Sequence, residues 1–306
     1  MKKAVITGAN GFLGSALCRE LSAQGVAITA VVRSKDSDVS RIINLKNLQI
    51  VFADMSEMKN LDRIIRDRDA DVFYHFAWEG SCGPLRGDYA VQLDNVKYTC
   101  DAAVSCKKIG CSRFVSASSI MAYEAAAMMQ TEQNPPLPML YSAAKLCAGY
   151  MARTAAAAAG ADYIHVVISN VYGPGETNQR LVNESLRKML NGEHCSFSSG
   201  EQLYDFIYID DAAKELAAVG DRGHANRTYY IGSLKPRPLK DFLKEINIQA
   251  GRNPADGLGE LTFEGVSLAY SEFDIEAVKK DTGIVPEISF AEGIRRTIAW
   301  IRENRL

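Results

Sequence analysis

Tyr141-Ser142-Ala143-Ala144-Lys145 sets a phenol and an ammonium four residues apart. On a helix that spacing puts both on one face, and a cation beside a phenol favours the phenolate, lowering a pKa that starts near 10. Tyr141 then becomes a usable acid or base. With 13 tyrosines in the chain the spacing carries little by itself. Its context carries more: it follows an apolar run at 113–117 and a proline-bearing loop at 134–138, and it opens a long alanine-rich stretch. A second group of residues suits phosphate. The apolar run 4–7 leads into Thr7-Gly8-Ala9-Asn10-Gly11-Phe12-Leu13-Gly14 and then a helical pattern over 15–24. Gly8 can take positive φ in the turn, Gly11 lets a backbone approach a pyrophosphate, and Gly14 lets the helix pack closely on the strand. The helix start supplies free amide donors.

These residues need elements to position them. Apolar, β-rich runs at 4–7, 26–32, 48–52, 71–77, 113–117 and 163–168 alternate with stretches long enough to be crossover helices. Strands apolar throughout and separated by helices imply an α/β fold with a doubly wound parallel sheet, which binds ligands at the carboxyl ends of its strands. After Asn170 the texture changes to Gly and Pro punctuation, as in Gly173-Pro174-Gly175 and Pro236-Arg237-Pro238. The reading is a dinucleotide-binding Rossmann domain over 1–170, with a returning segment at roughly 203–235, and a smaller α/β substrate-binding domain made mainly of 171–306. The alanine tract 155–159 reads as the end of a tightly packed helix closed by Gly160.

Composition narrows the function classes. The chain has 306 residues, 47% hydrophobic and 24% charged, the proportions of an ordinary globular protein. Its 35 basic and 37 acidic side chains are mixed to a net charge of −2, so no basic field gathers phosphate backbones and nucleic acid is not an expected partner. The uncharged stretch 4–18 is too short and too polar to cross a bilayer, and Met1-Lys2-Lys3 is not followed by a signal-peptide core, so the expectation is a mature protein starting here, with no membrane partner. Seven cysteines without a C-x-x-C pair read as reduced thiols of a cytoplasmic protein. His75, His165, His194 and His224 complete no metal motif, and no metal is expected.

The spacing of Thr7, Gly8, Gly11 and Gly14 resembles the T-G-x-x-G-x-x-G fingerprint of the extended short-chain dehydrogenase/reductase family, and further matches follow in order as far as residue 211. Tyr141 and Lys145 match its Y-x-x-x-K. Ser119 in Ser119-Ile120-Met121-Ala122-Tyr123 matches its S-x-x-x-Y, which implies a hydroxyl hydrogen-bonded to the reacting oxygen. Asn95 matches a helix asparagine that positions the lysine through water, Asn170 matches the N-x-Y-G-P loop, and Asp205-Phe206-Ile207-Tyr208-Ile209-Asp210-Asp211 is similar to R-D-F-x-Y-V-x-D. The resemblance implies a cofactor site of Gly8, Asn10, Gly11, Phe12, Leu13, Gly14, Arg33, Asp54, Met55, Phe76, Ala77, Trp78, Asn95, Tyr141 and Lys145. Asp54 with Glu57 three residues on is equally a helix capping box, and the two roles are compatible. Where the family ends its second strand with an acid for NAD, this chain has Val32-Arg33-Ser34-Lys35. A cation there suits the 2′-phosphate of NADP, so NADP(H) is the preferred cofactor and NAD the alternative.

The reaction follows from the residues beside Ser119. Dehydratases of the family carry Asp-Glu there; Ile120 and Met121 cannot move a proton. With the cation at Arg33, the expectation is an NADP(H)-dependent ketoreductase acting on a keto group of a nucleotide-linked sugar, with Ser119, Tyr141 and Lys145 as catalytic residues. The alternatives are a nucleotide-sugar 4-epimerase holding NAD and a non-catalytic NADP-binding protein. Substrate would be held by Ser119, Tyr141, Asn170, Arg180 and Tyr204. Tyr204 stands where the family has an arginine for pyrophosphate, so either Arg180 or Arg187 substitutes or the substrate is another carbonyl metabolite. Helices at 89–108 and 141–159 are the expected homodimer interface, unless their small residues pack on the sheet instead.

Overall fold

The computed structural model describes residues 1–304. From the amino end, β1 (Lys3–Thr7) leads into α1 (Phe12–Ala23), β2 (Ala27–Val32), β3 (Leu48–Phe52), the single turn α2 (Leu61–Ile64), β4 (Val72–His75), α3 (Tyr89–Lys108), β5 (Arg113–Ser119), α4 (Met121–Met128), α5 (Met139–Ala158) and β6 (Asp162–Ile168). There follow β7 (Asn170–Tyr172), α6 (Leu181–Leu190), β8 (Leu203–Tyr204), β9 (Phe206–Tyr208), α7 (Ile209–Arg222), β10 (Thr228–Ile231), β11 (Arg237–Pro238), α8 (Leu239–Gln249), α9 (Ala277–Thr282) and α10 (Phe290–Glu303).

Seven strands form one parallel sheet in the order β10-β6-β5-β4-β1-β2-β3. This is the Rossmann-like doubly wound arrangement. The chain moves outward one way through β2 and β3 and the other way through β4, β5 and β6, so the order reverses between β1 and β4. The carboxyl ends of that pair, Thr7 beside His75, mark the crevice where such sheets bind ligands. Two small pairs, β7 with β9 and β11 with β8, stand apart from the main sheet.

Alternation along each strand decides what covers each face. Ala4 and Ile6 join Leu17 and Leu21 of α1 and Ala213 and Leu216 of α7 in one buried cluster, whereas Val5 joins Phe73, Phe114 and Ala102, Ala103 and Ala156 of α3 and α5 in the other. The alanine tract therefore contributes to packing on the sheet: Ala156 is fully buried there. The opposite faces of α3 and α5 leave Tyr89, Leu93, Leu146, Tyr150 and Met151 exposed. All seven cysteines are free thiols. Among the described residues no helix is long and apolar enough to cross a membrane, and no group of three His, Cys, Asp or Glu is placed to hold a metal.

Candidate active site

The glycine loop takes its shape from contacts that tolerate no side chain. Gly8 has φ +65°, in the left-handed region, and a Cβ there would lie 2.8 Å from the Ala77 nitrogen. A Cβ on Gly14 would lie 2.1 Å from the Gly8 carbonyl oxygen, so only glycine lets α1 dock on the loop. Gly11 caps α1 without a side-chain hydrogen bond, and the first turn carries no acid. Free amide donors and the positive end of the helix thus point into a cleft of about 360 Å³. Asn10, Gly11, Phe12, Leu13 and Gly14 form its floor, with Arg33, Met55, Phe76, Ala77 and Trp78 along its walls. A glycine cradle, exposed helix amides and a long cleft across the strand-order reversal fit a dinucleotide.

Two of the expected cofactor residues are also tied into the protein's own hydrogen bonds. Asp54 accepts from the Ser56 amide at 3.0 Å, and Glu57 reciprocates to the Asp54 amide at 2.8 Å. That is the capping-box reading, and it holds the Asp54 carboxyl below its ordinary range, chiefly through the Ser56 amide. Asn95 binds both backbone groups of Glu79, donating to its carbonyl at 2.8 Å and accepting from its amide at 2.9 Å. Arg33 lines the cleft at the end of β2 and pairs with Glu79 at 3.4 Å.

At the far end of the cleft the catalytic candidates converge. Ser119 is the last residue of β5, and its oxygen accepts from the Met121 amide at 3.2 Å. Tyr141 and Lys145 lie on the inward face of α5, both buried. Burial leaves the Tyr141 phenol above its ordinary value, the opposite of the lowering expected from the Lys145 spacing; Arg180, a hydrogen bond with Ser119, and Arg86 offset only part of the rise. Burial and the Arg180 charge lower Lys145 to about 7. Its ammonium donates to the Ala117 carbonyl at 3.0 Å and stands 3.6 Å over the Trp78 ring, 6.0 Å from the Tyr141 ring centre. His75 is sealed between Thr7 and Thr99, and burial drops it to about 3, so it is a neutral core residue.

A second cavity of about 210 Å³ adjoins Ser119 and Tyr141 and is lined by Asn170, Arg180, Tyr204 and Phe206. Asn170 is fixed by the Asp205 carbonyl at 3.1 Å, and Tyr204 stacks on Phe206 with ring centres 5.8 Å apart. The two arginine candidates separate here. Arg187 is tied to Glu184 and to the carbonyls of Glu176 and Asn178, outside the cavity lining. Arg180 lines both cavities, held by the buried Glu176 at 3.0 Å. Two further charged groups lay outside the sequence motifs. Arg86 lies 4.8 Å over the Tyr141 ring, and Glu124, raised to about 7 by burial, lines a small extension beside Met121, Tyr204 and Tyr270. Glu124 sits one turn beyond Ile120 on α4; Arg86 comes from a turn with no motif to mark it.

Comparison with known sequences completes the picture. The profile of the NAD dependent epimerase/dehydratase family matches residues 4–232. The chain belongs to that family. Members similar to it include dTDP-glucose 4,6-dehydratase of Escherichia coli, 26% identical over 346 residues covering 99% of this chain and 94% of that one. Also similar is a trifunctional UDP-glucose 4,6-dehydratase/UDP-4-keto-6-deoxy-D-glucose 3,5-epimerase/UDP-4-keto-L-rhamnose-reductase of Arabidopsis thaliana, 25% identical over 317 residues; this chain spans 48% of its length and is itself covered to 99%. Among solved structures, a variant of UDP-glucuronic acid 4-epimerase from Bacillus cereus, in complex with UDP-4-deoxy-4-fluoro-glucuronic acid and NAD, superposes with a TM-score of 0.78 at 20% identity, over 99% of each chain. As a member of the NAD dependent epimerase/dehydratase family, the protein is an enzyme of the oxidoreductase type.

Proposed function

We propose that this enzyme interconverts the C4 epimers of a nucleotide-linked sugar and retains NAD through the cycle. The observation that carries the reading is the wall beside Ser119, where Ile120 is buried and Met121 lies against Arg86, and neither side chain can transfer the proton an elimination needs. Glu124 lines the adjoining extension and not the cavity at Ser119, so proton transfer at the sugar oxygen falls to Tyr141, which suits removal and return of hydrogen at one carbon. The chemistry a bound NAD would supply is acceptance of hydride from the sugar carbon and its return to the opposite face of the ketone. Tyr141 takes the proton of the sugar hydroxyl as the ketone forms and returns it when the ketone is reduced; Ser119 holds that oxygen, and the Lys145 charge favours the phenolate. Arg180, Asn170 and Tyr204 grip the substrate, with residues 171–306 contributing most of its contacts.

The Arg33–Glu79 pair favours NAD over NADP. Glu79 partly neutralises the cation that a 2′-phosphate requires and brings a carboxylate toward the place where one would repel it. This moves the reading from a ketoreductase to an epimerase, in keeping with the NAD-bound epimerase similar to this chain. The second reading, NADP(H)-dependent reduction of a keto sugar, is favoured by the Arg33-Ser34-Lys35 run. The exposed apolar faces of α3 and α5 support a homodimer.

The test is incubation of the purified protein with UDP- and dTDP-hexoses, followed by NMR of the products. C4 inversion without net consumption of dinucleotide supports the epimerase. Stoichiometric NADPH oxidation would point to the reductase, and a 4-keto-6-deoxy product to a dehydratase.

A further inference from the structure

We propose that Trp78 is a positioning residue for Lys145, its indole face carrying the ammonium and, with the Ala117 carbonyl, setting where that charge stands relative to the Tyr141 phenol. The inference rests on the reading of Tyr141 and Lys145 as the proton-transferring pair. Lys145 makes no ion pair among the described residues; its ammonium has the Ala117 carbonyl at 3.0 Å and the Trp78 ring at 3.6 Å. The same indole meets the Tyr141 ring edge-on, with centres 6.0 Å apart at 83°. One side chain therefore touches both members of the pair.

The indole is itself held. Its Nε1 donates to Gln92 at 3.0 Å, and the Gln92 amide is anchored on the carbonyls of Leu85 and Gly80 at 2.9 and 3.2 Å. Asn95, one turn along α3, grips both backbone groups of the next residue, Glu79. Two buried amides of α3 thus fix the segment that carries Trp78. Asn95 holds the backbone of Glu79 and so also steadies the segment that carries Trp78.

A cation over an indole is stabilised in its charged form, most strongly when water is excluded. At Lys145 this opposes burial and the Arg180 charge, which together bring the ammonium down to about 7. The groups facing it are Tyr141 on α5, Arg180 ahead of α6, His75 on β4 and His165 on β6. Burial lowers His75 to about 3 and His165 to about 4 and raises Tyr141, so of this set only Lys145 changes charge near neutrality.

The chain has two tryptophans, so Trp300→Phe leaves Trp78 as the only one, and excitation at the red edge, where tyrosine does not absorb, reads its emission alone. Emission of this variant from pH 5.5 to 9 is expected to follow a single titration near 7 that disappears when Lys145→Met is added. Emission flat over the range, or a titration that survives Lys145→Met, would overturn the proposal. This readout needs no turnover, so it stands apart from failure of the epimerase reading, which would show as wild-type protein inert toward nucleotide sugars. Where turnover is measurable, Trp78→Leu should move the alkaline limb of the pH profile down by about one unit, a tenfold change in proton affinity, and Trp78→Phe should restore most of it. A limb that does not move would equally overturn the proposal.

Discussion

Arg33 and Glu79 meet at 3.4 Å at the mouth of the cofactor cleft, one from the end of β2 and the other from the segment after β4. Both side chains are about half exposed, at 55% and 45%, so the pair contributes little to stability and its removal leaves the fold intact. On the proposed reading, the pair sets the charge that would meet the adenosine ribose of a bound dinucleotide. Glu79→Gln should free the guanidinium and raise affinity for NADPH relative to NADH by about tenfold, the scale of one charge-assisted contact. Arg33→Ala should instead weaken NADPH binding. Titration of each variant with both dinucleotides checks this; an unchanged ratio in Glu79→Gln would remove the pair from cofactor choice.

Tyr141→Phe deletes the phenolic oxygen and keeps the ring packed against Trp78 and Arg86. Turnover should fall by roughly a hundredfold to ten-thousandfold, the usual share of a general acid or base, while dinucleotide affinity stays within about twofold. Steady-state rates and equilibrium binding separate the two quantities. Near-normal turnover would exclude Tyr141 from proton transfer.

Gly14→Ala sets a methyl 2.1 Å from the Gly8 carbonyl oxygen, a backbone atom that cannot swing aside. The helix must shift off the loop, at a cost of about 1–3 kcal/mol, with loss of dinucleotide binding. At Gly11 the same oxygen would be 3.2 Å away, a tight contact without overlap, so Gly11→Ala should lower the urea midpoint less than Gly14→Ala does. Equal midpoints for the two variants would contradict this account of the loop.

Burial raises the Glu124 carboxyl from its ordinary 4.5 to about 7. A carboxyl whose folded pKa is raised favours the protonated native state, so its contribution is fully present below pH 4.5, declines as pH rises toward 7, and is absent above. Glu124→Gln should therefore melt close to the wild type at pH 4.5 and above it at pH 8. Melting curves at the two pH values test this, and a gain confined to low pH would reverse the sign.

The parallel sheet and the glycine loop were legible because both are written in local patterns. The strands are mostly apolar, and Gly8, Gly11 and Gly14 stand at the spacing that a strand-to-helix turn requires. Tyr141 and Lys145 share a helix, so their proximity could be read from four-residue spacing. The rest depends on residues that only tertiary packing brings together. Arg33 carries no mark of Glu79, 46 positions away in sequence, and read alone it looks like a free cation suited to NADP. Arg86 and Glu124 acquire their surroundings from α4, α5 and β8. Asp54 could be read both ways from sequence, and the capping geometry is the one its hydrogen bonds display.

The claim that the enzyme retains its dinucleotide is tested most directly by denaturing the purified protein and identifying what it releases by mass and absorbance. The account predicts NAD or NADH at close to one per chain. A protein that releases nothing, and then binds NADPH in preference to NAD, would contradict it and make the enzyme a reductase with a dissociable cofactor.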